Sequence, residues 1–300
     1  MTRSIPESST AALTWPDAET MMGEVFHRDW DRRLKYALRL AWTFPQRARL
    51  LREAAQDPFA RALFKARPQS FYPVMTHLMH RKLGVRARVQ ATLASMKVVP
   101  AAYPDRWTDL LGEGIVLQTL DDGARLVLGL TQISFHEGLW QVGLIDSSGQ
   151  RLYSAGFGLV DEQTMFIGNL QGVQNHPDAL ARLAELTQAA HGMRPPYFLL
   201  YTVRLLANAW GLKRLGGVGP YTHVKGARLH KAGRLWFDYP AFWEENGGTA
   251  LADGNWSLPL EAERRPIEEI ASKRRAQYRR RYAMLDELAA GIQSITKQPA

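Results

Sequence analysis

Between residues 114 and 170 the chain carries five short runs, GIVLQTL, ARLVLGLTQISF, LWQVGLID, RLYSAGFGLV and TMFIGNL, separated by DDG, HEG, SSG and DEQ. The runs are rich in β-branched, aliphatic and aromatic residues, and each separator is a turn signal. Connections this short join neighbouring antiparallel strands, because a parallel pair needs a crossover of a dozen or more residues. The spacing therefore predicts an antiparallel meander.

Downstream the period changes. HPDALARLAELTQAAHG and RPPYFLLYTVRLLANAWG predict two helices, the first opened near Asp178 and closed by Gly192, the second opened by prolines and closed by Gly211. A short strand, LKRLGGVG, follows, then ARLHKAGRLWFDY. The tail EEIASKRRAQYRRRYAMLDELAAGIQSI predicts a long helix with Ser272 at its N-cap and Tyr278, Tyr282, Leu285, Leu288 and Ile292 on one stripe.

Upstream, Trp30, Leu34, Leu38 and Trp42 recur at helical spacing, with Arg32, Arg33, Lys35 and Arg39 turned largely elsewhere. This predicts a basic amphipathic helix, interrupted near Pro45, whose apolar stripe packs on its own domain. A further helical region is expected from Asp57-Pro58 onward, carrying His77 and His80. The expected class is α+β, with an antiparallel or mixed central sheet, an N-terminal helical region and a long basic C-terminal helix. Residues 1–22 are expected as a loose tail, 23–100 as a helical subdomain and 101–300 as the α+β core.

The formal charge of +9 directs attention to anionic partners: a phosphorylated small molecule or acyl carrier, an anionic membrane surface, or nucleic acid. Nucleic acid is the weakest of these, since no nucleic-acid-binding module precedes the basic C-terminal helix. The chain has no cysteine, which excludes disulfides, thiolate metal sites and thiol nucleophiles, so any chemistry uses oxygen and nitrogen groups. No secretory-type apolar core and no window of ~18 apolar residues is present, so a cytoplasmic location is expected.

His136-Glu137 lies between two predicted strands. HEGLW lacks the second histidine of a zincin motif, leaving the pair as candidate catalytic groups, one of which can face a cleft while the other faces solvent. FIGNLQGVQNHPD runs from a strand into an amide-rich loop before a helix, where free N–H groups suit an anion; Asn169, Gln171, Gly172 and Gln174 are its candidate cofactor-binding residues. His191, Arg194, His223, Asp238, Arg275 and Arg279 are candidates for substrate contact. His77 and His80 lack a third ligand at fitting spacing, so no metal is expected.

FHEGLWQVGLID, LYSAGFGL, IGNLQG, HGMRP, FDYPAFWEENGG and above all SKRRAQYRRRYAMLDEL resemble, in order, blocks of the VirK/YbjX family of bacterial proteins, a domain-of-unknown-function family. The resemblance covers most of the chain after about residue 25 and departs from the family at GPYTHV. It implies a cytoplasmic bacterial protein linked to virulence, envelope remodelling and resistance to cationic antimicrobial peptides, and it supplies no catalytic residues. The order of meander, loop, helices and strand is also similar to the GNAT acyltransferase core. That similarity implies an acyl-CoA or acyl carrier protein as cofactor, His136 or Glu137 as general base, and the loop after Asn169 and Gln171 as phosphate site. The usual Q/R-x-x-G-x-G/A sequence of that loop is not present. The alternative expectation is a non-catalytic regulatory protein that binds anionic lipid or a protein partner.

Overall fold

Strands β1 (Ile115–Thr119), β2 (Arg125–Leu130), β3 (Trp140–Ile145), β4 (Arg151–Asp161) and β5 (Thr164–Gly172) pair in chain order, each antiparallel to the next, as the turn signals require. The computed structural model describes residues 13–22, 30–132, 134–172, 178–226 and 237–297. Beyond β5 the sheet becomes mixed. β6 (Arg214–Gly217) runs parallel to β5, and a late hairpin adds β7 (Thr249–Ala250) and β8 (Trp256–Leu258), with β8 inserted between β6 and β7. The resulting order is β1-β2-β3-β4-β5-β6-β8-β7.

Two irregularities set β5 apart from its neighbours. It pairs with β6 only from Thr164 to Ile167, with Val218 N–H donating to the Ile167 carbonyl at 3.0 Å, so residues 168–172 extend past their parallel neighbour. Opposite β4, Gly156 faces Asn169 and Phe157 faces Ile167, which leaves Gly168 as the extra residue of a bulge.

The helices among the described residues are α1 (Ala18–Met22), α2 (Trp30–Trp42), α3 (Phe44–Gln56), α4 (Pro58–Ala66), α5 (Val85–Ala102), α6 (Trp107–Leu111), α7 (Ala179–Ala189), α8 (Pro195–Ala209), α9 (Tyr239–Glu245) and α10 (Ser272–Ile295). Residues 154–159 of β4 are buried in an unbroken run, as a strand covered on both faces must be. The α5 and α8 helices pack on β4. The Trp140 indole N–H donates to the Ser95 carbonyl at 2.9 Å, and Leu159 N–H donates to the Ser95 hydroxyl at 2.8 Å, so one serine of α5 fixes the helix against two strands. Asp57 caps α4 by accepting from Ala60 N–H at 2.7 Å. Leu285, Leu288 and Ile292 of α10 enter the core, and the Gln118 amide of β1 donates to the Met284 carbonyl at 3.0 Å.

Several expectations are corrected. β2 stops at Leu130 instead of running to Phe135, and HEG is no hairpin turn: a 3-10 turn, Phe135–Glu137, stands between β2 and β3. It is held by a distant contact, Met79 N–H donating to the His136 carbonyl at 2.7 Å, which no local pattern encodes. Residues 76–84 are not helical, so His77 and His80 share no helix; His80 instead bridges to His223. Ser272 is the first residue of α10 and Ala271 takes the N-cap position. The α2 stripe does not pack on the domain. Trp30, Leu34, Leu38 and Trp42 are exposed, and the buried side of the helix is marked by Tyr36.

Candidate functional site

Successive side chains of a 3-10 turn step by about 120°, so neighbours at 136 and 137 enter different surroundings. Glu137 goes inward and is 2% exposed. Its Oε2 accepts from Asn169 Nδ2; its Oε1 lies 3.1 Å from Lys225 Nζ and 3.9 Å from His223 Nε2. The same Asn169 amide donates to Gln171 Oε1 at 3.3 Å. His223 Nδ1 accepts from the Lys225 backbone N–H at 3.1 Å, which places the proton of a neutral ring on Nε2, facing Glu137. Tyr239 lies against His223 at 5.8 Å between ring centroids, and its hydroxyl accepts from Leu170 N–H at 3.2 Å. Burial pushes the Tyr239 phenol well above its ordinary value.

The backbone permits this convergence at two glycines. Gly138 adopts φ +146°, and a side chain there would strike the Phe157 main chain. At Gly168, the bulge residue, a side chain would collide with the Glu137 carbonyl oxygen, so the bare backbone of β5 lets the turn sit on it. The His223 segment is pinned from the other side, with Arg81 N–H donating to the Thr222 carbonyl at 2.8 Å and the Thr222 hydroxyl donating to Asn255 Oδ1 at 2.6 Å.

A carboxylate this deep is costly unless paired and hydrogen-bonded. Here an ammonium that is itself half-exposed and a side-chain amide compensate it. The compensation is incomplete in one respect: Asn169 Oδ1 is buried and, among the described residues, accepts no hydrogen bond. Such an acceptor is rare in a folded protein. Burial lowers the pKa of His223, the Glu137 charge opposes that, and Lys225 reinforces it.

His136 points elsewhere. Its ring meets Tyr72 edge-on at 5.7 Å, and burial, aided by the charges of Lys225, His77 and Arg39, pushes its pKa down to about 4. A histidine whose folded pKa lies below its unfolded value destabilises on acidification. The unfolded chain takes up the proton near pH ~6.5 while the folded chain refuses it until about 4, so stability falls as pH drops through that window. The contribution is at most about 3 kcal/mol. His136→Gln is expected to flatten the fall in urea midpoint between those pH values; an unchanged slope would place the acid sensitivity in other groups.

The other sequence candidates are scattered. His191, at φ +49°, contributes its carbonyl, which accepts from Arg281 Nε at 3.2 Å and Nη2 at 3.0 Å. Arg194 lines a groove of about 660 Å³ with Tyr197, Glu245, Arg274 and Gln277, apart from the Glu137 cluster. Asp238 caps α9 by accepting from Ala241 N–H at 3.1 Å. Arg275 donates to the Ile270 and Glu268 carbonyls, both at 2.9 Å, and Arg279 is exposed on α10. Gly172 abuts the Tyr153 ring. Gln174, with the loop expected to bind an anion, lies outside the described residues.

Glu137, Asn169, Gln171 and His223 therefore come together, joined by Lys225 and Tyr239. Gly168 carries a signal of its own, since a glycine within a strand marks a bulge or a close approach. Gln171 also lines a second groove, of about 870 Å³, with Arg67, Arg125, Arg151, Gln132 and Tyr153. Through the Gln171–Asn169 hydrogen bond, a surface with three arginines connects to the buried carboxylate. Among the described residues no group of three or more His, Asp or Glu is placed to hold a metal ion, and no helix is long and apolar enough to cross a membrane.

The chain is 34% identical over 181 residues to an uncharacterized protein of Haemophilus influenzae, covering 60% of this chain and 61% of that protein, less than two thirds of the relative's length. It is 37% identical over 132 residues to the uncharacterized protein YbjX of Escherichia coli, covering 42% and 39%, and 25% identical over 210 residues to the membrane protein LapB of Mannheimia haemolytica, covering 68% and 90%. No solved structure matches. A family model described as a protein of unknown function, DUF535, matches residues 26–294, and the chain belongs to that family, the one that includes YbjX.

Proposed function

We propose that the protein is an acyl-transfer enzyme whose centre is the Glu137 cluster at the point where β5 outruns β6. The observation that carries the reading is the buried, unpartnered Asn169 Oδ1 beside the Glu137 carboxylate, on the part of β5 left without a parallel neighbour. The order of elements is similar to that of the GNAT acyltransferase core, where acyl-CoA lies against a splayed strand, and a β5 that outruns its parallel neighbour β6 supports that analogy. A bound thioester would supply the activated acyl carbon.

The chain's own groups then have defined tasks. Asn169 Oδ1 accepts a hydrogen bond from an incoming N–H or O–H donor. Glu137, oriented by Asn169 and Lys225, takes the proton from the amine or hydroxyl as it bonds to the acyl carbon, and when the thioester C–S bond breaks the same proton is returned to the leaving sulfur, which departs as a thiol. His223 presents Nε2–H and not a free lone pair, so it positions Glu137 and does not act as the base. The arginines of the groove at Gln171 suit phosphates or another anionic portion of a ligand. The name of the Mannheimia relative is consistent with an acceptor in the cell envelope.

Calorimetric titration with acetyl-CoA and a long-chain acyl-CoA tests the reading. Saturable binding lost in Asn169→Ala, and retained when the distant Arg279 is replaced by Ala, is the expected result; no heat with either thioester would sink it.

A further inference from the structure

The α2 helix inverts the usual placement of an amphipathic helix. Tyr36 anchors it, 3% exposed, its hydroxyl donating to the Pro16 carbonyl at 2.7 Å and its ring stacked 6.4 Å from Tyr72. At about 100° per residue, Trp30, Leu34, Leu38 and Trp42 span an arc of roughly 120° on the opposite side. They are 76%, 51%, 62% and 82% exposed, and Phe44, just past the helix, is 64% exposed. Five large apolar side chains in one strip are far from the single scattered hydrophobes of an ordinary surface.

The charges around the strip say what kind of surface covers it. Arg33 lies on one edge and Lys35 on the other, with Arg32 beyond; Arg39 is turned to the protein, donating to the Tyr72 hydroxyl at 3.1 Å, and Asp31, the helix's only acid, falls within the strip's arc at its N-terminal end. Asp31 pairs with Lys35 at 3.0 Å, an exposed i,i+4 contact of little strength. A second copy of the chain would bring the same cations against these edges and so be repelled. A tryptophan at each end, an apolar strip between them and cations on both flanks match a bilayer with anionic headgroups. With 13 residues the helix is too short to cross a bilayer and long enough to lie on one.

We propose that α2 is a membrane-surface helix that docks the protein on anionic lipid through Trp30, Leu34, Leu38 and Trp42. The full chain is expected to float with vesicles of phosphatidylcholine and phosphatidylglycerol, to float poorly with phosphatidylcholine alone, and to release from the anionic vesicles at high salt. Leu38→Asp is expected to weaken this partition by about tenfold or more, as loss of a leucine inserted into the bilayer surface implies. Trp42→Ala, at the most exposed position, should weaken it similarly, and both variants should melt with the wild type. Brominated phosphatidylglycerol should quench tryptophan fluorescence less in a Trp30→Phe, Trp42→Phe double variant. Absence of flotation, flotation indifferent to lipid charge, or flotation unchanged in both Leu38→Asp and Trp42→Ala would overturn the proposal. Sedimentation equilibrium showing a dimer that Leu38→Asp dissociates would overturn it in favour of a self-interface.

Discussion

Glu137→Gln is expected to lower thioester turnover by about a thousandfold, within the range a positioned general base contributes, while leaving the fold in place. The substitution keeps the volume of a side chain that is 2% exposed and keeps an oxygen able to accept from Asn169 or Lys225. What it removes is the capacity to take a proton. Lys225, half-exposed, can turn its ammonium to water when the charge opposite disappears, so the stability cost should stay near 1–2 kcal/mol. Glu137→Leu would behave differently: the Asn169 amide would lose its acceptor in a dry site and Lys225 its counter-charge, at a cost of several kcal/mol. Thiol release from an acyl-CoA, followed alongside circular-dichroism melting, separates the two effects. Turnover in Glu137→Gln equal to wild type would make the cluster a purely structural ion pair and remove the basis for the acyl-transfer reading.

What local sequence conveys is the part of the fold decided by short-range physics. The meander follows from turn signals between short runs rich in β-branched, aliphatic and aromatic residues, and the capping of α4 follows from Asp57-Pro58. The β7–β8 hairpin leaves no such trace, because its strands are two and three residues long and offer no period to detect. The α2 stripe illustrates another limit. Its helical spacing is real, but a 3.6-residue period says only that one face is apolar; which face meets the protein is decided by Tyr36 reaching Pro16 and Tyr72. At the candidate site, residue types are visible in the sequence and adjacency is not. Glu137 meets Asn169, His223 and Lys225 because a 3-10 turn, a bulge and a bridge from His80 to His223 bring together segments far apart in sequence. His136, the more conspicuous of the pair in sequence, turns away toward Tyr72.

Gly138→Ala should be among the most damaging single-methyl changes in the chain, lowering stability by more than about 4 kcal/mol. At φ +146° and ψ 153° the residue occupies a region open essentially to glycine alone. The added carbon would also fall on the nitrogen, carbonyl carbon and oxygen of Phe157, and these are main-chain atoms of β4 that cannot rotate away as a side-chain tip would. Relief requires moving either β4, which α5 holds through Ser95 and Leu159, or the 3-10 turn itself. The turn is the softer element, so displacement of Glu137 should accompany the loss of stability. Gly149→Ala provides the control, since Gly149 also has positive φ, +86°, but nothing lies within 4 Å of the added carbon. Its cost should be about 1–2 kcal/mol, the backbone penalty without the collision. Urea unfolding of the two variants in parallel isolates the steric part; if Gly138→Ala unfolds within about 1 kcal/mol of Gly149→Ala, the turn is not clamped against β4 and the placement of Glu137 rests on its hydrogen bonds alone.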